Sequence, residues 1–124
     1  MPQITVDYSE ELADTFDRRG FALALPALLA ELAEATPGAC KTRFVRTEGS
    51  VVGDGTGAAT GVDGIVHVMI GLLPGRSDRT KARTTAAVLD LLGKHVEPAD
   101  GIRLHASAEI RDLDASYLKS APQS

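Results

Sequence analysis

Pro2, directly behind Met1, opens a segment that reads Gln3-Ile4-Thr5-Val6-Asp7-Tyr8. Loss of Met1 would expose a secondary amine, and an unperturbed α-amino group titrates at roughly 7.7–8.0. Desolvation and neighbouring cations lower that value, so such an amine is a usable base near neutral pH. If Met1 stays attached, the same nitrogen is an amide. Pro2 is then an ordinary residue at a strand's first position, where proline is tolerated.

Other reactive residue types are less organised. His67, His95 and His105 fall on different elements without the His-x-x-x-His spacing of a metal-binding helix, so no metal site is expected. His67 and His105 could meet across adjacent strands, as satisfied structural groups rather than a functional pair. Cys40 is the sole cysteine, which rules out an internal disulfide; on a strand it reads as a small packed residue rather than a nucleophile. The run from Gly53 to Gly61 fits neither Gly-x-Gly-x-x-Gly nor a P-loop, and no helix follows it, so a flexible connection is expected. Glu10, Glu11, Asp14 and Asp17 read as a solvated face and helix start rather than as paired catalytic acids.

The elements that would position these residues follow from periodicity. Ile4, Val6 and Tyr8 share one face of a first strand. Phe21, Leu25, Leu28, Leu29 and Leu32 recur at helical spacing, with Asp17 as N-cap, Thr36-Pro37-Gly38 as the stop and Pro26 as a kink or the true start. Residues 39–47 read as a second strand, in which Cys40, Thr42 and Phe44 alternate against Lys41, Arg43 and Val45. Ile65 to Ile70 forms a third strand, and Pro74-Gly75 turns into a helix capped by Ser77 with Ala82, Thr85, Ala86, Leu89, Leu92 and Val96 as its apolar face. The fourth strand presents Ile102, Leu104, Ala106 and Ala108, and a polar tail covers 119–124. The order predicts a single α/β (α+β) domain over 1–124 with two β-α-β halves, about 2–48 and 64–109, and a Gly-rich joint over 49–63. Right-handed crossovers place both helices on one face of a four-stranded sheet. The other face, expected to be bare and apolar, would invite self-association.

A chain of 124 residues suits one domain, and its aromatic share of 4% without Trp leaves Leu, Val, Ile and Ala to build the core. The net charge of −4 argues against a nucleic-acid partner. The acidic amino-terminal region does not fit a secretory leader, and no apolar run reaches the ~20 residues that span a bilayer. A reducing, cytoplasmic location without membrane attachment is therefore expected.

The opening Met1-Pro2-Gln3-Ile4-Thr5-Val6-Asp7-Tyr8-Ser9 resembles the start of the 5-carboxymethyl-2-hydroxymuconate isomerase family of the tautomerase superfamily. The likeness continues through Leu12-Ala13-Asp14 and Gly20. It resumes at Val66-His67-Val68-Met69, at Gly75-Arg76-Ser77, and more weakly from Leu104 to Glu109 and at Tyr117. The resemblance implies a cofactor-independent isomerase, assembled as a homotrimer with active sites near the subunit contacts. It implies that the amino-terminal proline, here Pro2, moves a proton between carbons of an unsaturated keto or enol acid while arginines hold the anionic substrate. Arg76 matches one of them, its planar fork suiting a carboxylate and its charge a developing dienolate. Where the family carries a second arginine stands Lys41, with Arg43 two residues on along the same face. Lysine is a point charge and holds a carboxylate less specifically unless Arg43 takes over. The Gly-rich segment also departs from the family, lacking the aromatic residues expected there. The alternatives are a hydratase or dehalogenase of the same superfamily, and a noncatalytic homo-oligomeric binding protein that keeps Met1.

Overall fold

In the computed structural model, which describes residues 2–56 and 62–123, β1 (Gln3–Ser9) leads through a 3-10 turn (Glu10–Leu12) into α1 (Arg18–Ala33). A second 3-10 turn (Pro37–Ala39) then opens β2 (Lys41–Thr47). The second half repeats the plan with β3 (Val62–Leu72), α2 (Asp78–Gly93) and β4 (Ile102–Asp112). The expected Gly-rich loop falls in part, at 57–61, outside the described residues, as does Met1.

The sheet order is β2-β1-β3-β4. Within each half the strands are parallel, and the halves join through the antiparallel pair β1 and β3, with Val6 opposite Val68. Ile4, Val6 and Tyr8 are buried with Val66, Val68 and Ile70 in one cluster that also holds Phe21, Leu25 and Leu29 of α1 and Val88 and Leu92 of α2. Both helices therefore cover the same sheet face.

The helix signals act as their chemistry dictates. Asp17 Oδ1 accepts the Gly20 N–H at 3.0 Å, and Ser77 Oγ accepts the Thr80 N–H at 3.1 Å, so both helices start on a side-chain cap. Pro26 lies inside α1 without ending it. The helix stops before the Thr36-Pro37-Gly38 signal, at Ala33, where Glu34 takes a left-handed conformation with φ 55° and its N–H returns to the Leu29 carbonyl.

Three expectations need correction. The uncovered sheet face is mainly polar rather than apolar: Gln3, Thr5, Asp7, Lys41, Arg43, His67, Ser107, Glu109 and Arg111 occupy it by register, with Val45, Ile65 and Met69 among them. Each strand has one apolar face, and the helices have taken it. The buried stripe of α2 is Thr84, Val88 and Leu92, with Ala82 and Ala86 exposed. A threonine can sit there because its hydroxyl donates to the Thr80 carbonyl at 2.8 Å. Finally, β3 begins at Val62 rather than Ile65. Gly64 interrupts the apolar alternation because a Cβ there would lie 2.8 Å from the Leu12 side chain.

Candidate active site at the proline end of the sheet

β1 and β2 begin, β3 and β4 end, α1 ends and α2 begins at one edge of the layered fold, and the sequence candidates gather there. Pro2 is buried, and its carbonyl accepts the Lys41 N–H at 3.1 Å, which ties the heads of β1 and β2 together. Lys41 is exposed on the uncovered face, with Nζ donating to the Ala39 carbonyl at 3.2 Å. Arg43 is exposed on the same face. Its guanidinium donates to Gln3 Oε1 at 2.9 Å and to Thr5 Oγ1 at 3.3 Å.

Gln3 passes this network on, its amide donating to the Tyr117 hydroxyl at 3.1 Å. Tyr117 arrives there because the chain after β4 folds back over the sheet. The Leu113 N–H bonds the Leu72 carbonyl at 2.6 Å, and the Leu113 side chain crosses Gly71, where a Cβ would lie 2.6 Å from it. Tyr117 entered the sequence analysis only through the family likeness. The clue to its position is Gly71, whose missing side chain makes room for the returning segment.

Arg76 lies at this end too, but on the helix side. Its Nε donates to the Ala33 carbonyl at 2.9 Å and its Nη1 to the Leu73 carbonyl at 3.0 Å. A cation before α2 opposes that helix's dipole, yet the same guanidinium rests on the carbonyl end of α1, where positive charge is favoured. It borders a cavity of ≈ 300 Å³ with Ala33, Glu34, Gly75 and Ser77. Pro2, Lys41 and Arg43 do not line that cavity. The structure thus brings Lys41 and Arg43 onto one strand beside Gln3 and places Arg76 at the same end, on a cavity that the other three do not line.

The remaining candidates are engaged elsewhere. Burial pushes the Cys40 thiol up, against the opposing charge of Lys41, so it is a packed thiol rather than a thiolate. His67 and His105 share a sheet face on adjacent strands but hold other partners. His67 Nδ1 is 2.7 Å from Ser107 Oγ, and His105 Nε2 is 2.8 Å from Asp63 Oδ1. Asp17 caps α1, while Glu10, Glu11 and Asp14 are exposed. Among the described residues no three His, Cys, Asp or Glu side chains are grouped to hold a metal ion, and no helix is long and apolar enough to cross a membrane.

The family model for 5-carboxymethyl-2-hydroxymuconate isomerase matches residues 2–122. The chain belongs to that family. It is accordingly an isomerase of the tautomerase superfamily, and the four-stranded mixed sheet with two helices is the fold of that superfamily. A 5-carboxymethyl-2-hydroxymuconate isomerase from Deinococcus radiodurans R1 is similar with a TM-score of 0.78 and 22% identity, over 98% of this chain and 90% of that one. A fused 4-OT wild type symmetric trimer gives 0.67 and 15% identity over 96% and 93%. The macrophage migration inhibitory factor from Trichinella spiralis gives 0.63 and 11% identity over 95% of each chain. Among curated protein sequences none matches the chain significantly.

Proposed function

We propose that this isomerase moves a proton between carbons of an unsaturated keto or enol carboxylic acid similar to 5-carboxymethyl-2-hydroxymuconate, with Pro2, freed by loss of Met1, as the base. The observation that carries the proposal is the placement of Pro2, buried at the head of β1 with the cations Lys41 and Arg43 on the adjoining strand and Arg76 at the same end of the fold. The proline nitrogen takes a proton from one carbon, the electron pair delocalises onto the conjugated oxygen, and the proton returns at another carbon. Arg76 stabilises the dienolate through the guanidinium N–H groups that Ala33 and Leu73 leave free, and Lys41 or Arg43 holds the carboxylate. Burial and the nearby cations disfavour the ammonium form of the amine, so the acidic limb of kcat/KM falls below the roughly 7.7–8.0 of an ordinary α-amine.

The enzyme works as a cytoplasmic homotrimer without cofactor, and a neighbouring copy closes the site. Two findings support this: fused 4-OT neighbours of the same fold are symmetric trimers, and the cavity that Arg76 borders is not lined by Pro2. Light scattering at micromolar concentration should give about three times the chain mass, and a persistent monomer would remove the shared site. The activity is tested by assaying muconate-like enol and dienol acids with protein whose amino terminus is verified by intact mass. Turnover by the Met-free form supports the proposal, and no turnover of any such acid sinks it.

A further inference from the structure

We propose that the cleft between the start of α1 and β2, remote from Pro2, binds a planar conjugated or aromatic monocarboxylate. The cleft measures ≈ 520 Å³, within the range of ligand sites of about 300–1,000 Å³. Phe16, Phe44, Ala22 and Leu23 line it together with Asp17, Arg18 and Arg19.

The aromatic residues are distributed unevenly. The chain has 3 Phe, 2 Tyr and no Trp, and every one of these rings except Tyr117 belongs to this corner. Phe16 meets Tyr8 and Phe44 edge-on at centroid distances of 5.8 Å in both cases, and Phe21 at 6.1 Å. A flat ligand entering the cleft extends that edge-to-face array, an arrangement worth more than its buried area alone. Leu23, 66% exposed, supplies apolar surface for the ligand to cover.

The charge is as uneven as the rings. Arg18 is pinned, donating to the Ala13 carbonyl at 2.9 Å with its guanidinium 4.9 Å from the Tyr8 ring centre. Arg19 is exposed, and its side chain forms no hydrogen bond or ion pair with another described residue. Asp17, the one acid lining the cleft, is committed to the Gly20 N–H, and the first turn of α1 carries no acid. A single carboxylate matches the resulting excess of one positive charge. Its bidentate contact falls to Arg19, while Arg18 stays bound to the Ala13 carbonyl.

The test is titration with trans-cinnamate, read by calorimetry and by the ring resonances of Phe16 and Phe44. One site per chain is expected, with the neutral amide of cinnamate at least tenfold weaker. Arg19→Gln should weaken cinnamate about tenfold, and Ala22→Met, which fills the cleft without touching charge, should abolish binding; both variants should keep the wild-type circular dichroism. Arg76→Ala should leave the affinity unchanged, which separates this cleft from the proline end whether or not the chain catalyses proton transfer. Absence of binding at millimolar cinnamate overturns the proposal. So does affinity lost in Arg76→Ala but kept in Arg19→Gln, or equal affinity for acid and amide.

Discussion

The two ends of the sheet share one scaffold and carry different chemistry. At one end Pro2 heads β1, and Arg76 directly precedes the Ser77 cap of α2. At the other, Val62 heads β3, and Phe16 directly precedes the Asp17 cap of α1. Where Arg76 reaches back to the carbonyl end of α1, Phe16 packs into the core at 5% exposure and its backbone bridges Val96. A duplicated fold thus offers two equivalent corners, of which only one has a proline before its strand and an arginine before its helix cap. The other has been filled with rings. The same backbone supports either outcome because the cap and the strand start are set by local signals, whereas the adjoining side chain is free to be reactive or apolar.

That comparison breaks most visibly at Pro2. Inserting one residue before Pro2 converts its amine into an amide and should lower kcat/KM by about 10²–10⁴, the range of general acid–base catalysis. Val62→Ala, the corresponding change at the other end, should leave the rate within about twofold. Steady-state kinetics on both variants decides whether the two ends differ in chemistry.

Phe16→Ala should cost about 3–5 kcal/mol in stability by urea unfolding, because it empties a buried aromatic site, while the folded fraction keeps its kcat/KM. Arg76→Ala should do the reverse. A drop of roughly ten- to a hundredfold in kcat/KM is expected from a lost charge-assisted contact of about 1.5–3 kcal/mol, with only about 1 kcal/mol of stability lost through Ala33 and Leu73. Unchanged kinetics would leave Arg76 as a helix-end clamp and nothing more.

The smallest effect concerns the segment that brings Tyr117 to Gln3. Hydrogen bonds from the Ser116 hydroxyl and N–H hold the Asp114 carboxyl below its ordinary value. A depressed carboxyl stabilises the fold above its unfolded pKa of roughly 3.9, and that contribution disappears as pH falls through the folded value. Ser116→Ala should therefore move the Asp114 titration, followed by NMR, upward toward the ordinary range. An unmoved titration would show that the turn does not hold the carboxylate.

Much of this architecture was legible in the residues. Alternation at Ile4, Val6 and Tyr8 and the caps Asp17 and Ser77 are local features, and the structure keeps all of them. What the sequence concealed depends on contacts distant along the chain. Gly64 and Gly71 look like strand breakers until Leu12 and Leu113 are seen lying against them. The polar uncovered face, by contrast, was legible in the alternation itself, since Gln3, Thr5 and Asp7 alternate with the buried Ile4, Val6 and Tyr8. Pro2 and Arg76 could be named through family likeness, but Arg76's hold on Ala33 required the packing of α1 beside α2.

The central claim, that Pro2 is the base, is tested most directly by titrating the ¹⁵N-labelled Pro2 nitrogen by NMR alongside the pH dependence of kcat/KM, with loss of Met1 verified by mass. A nitrogen that titrates below roughly 7.7, at the same pH as the acidic limb of the rate, is the predicted result. Full activity in protein that carries Met1 on every chain, or a limb that does not follow the Pro2 nitrogen, would contradict it.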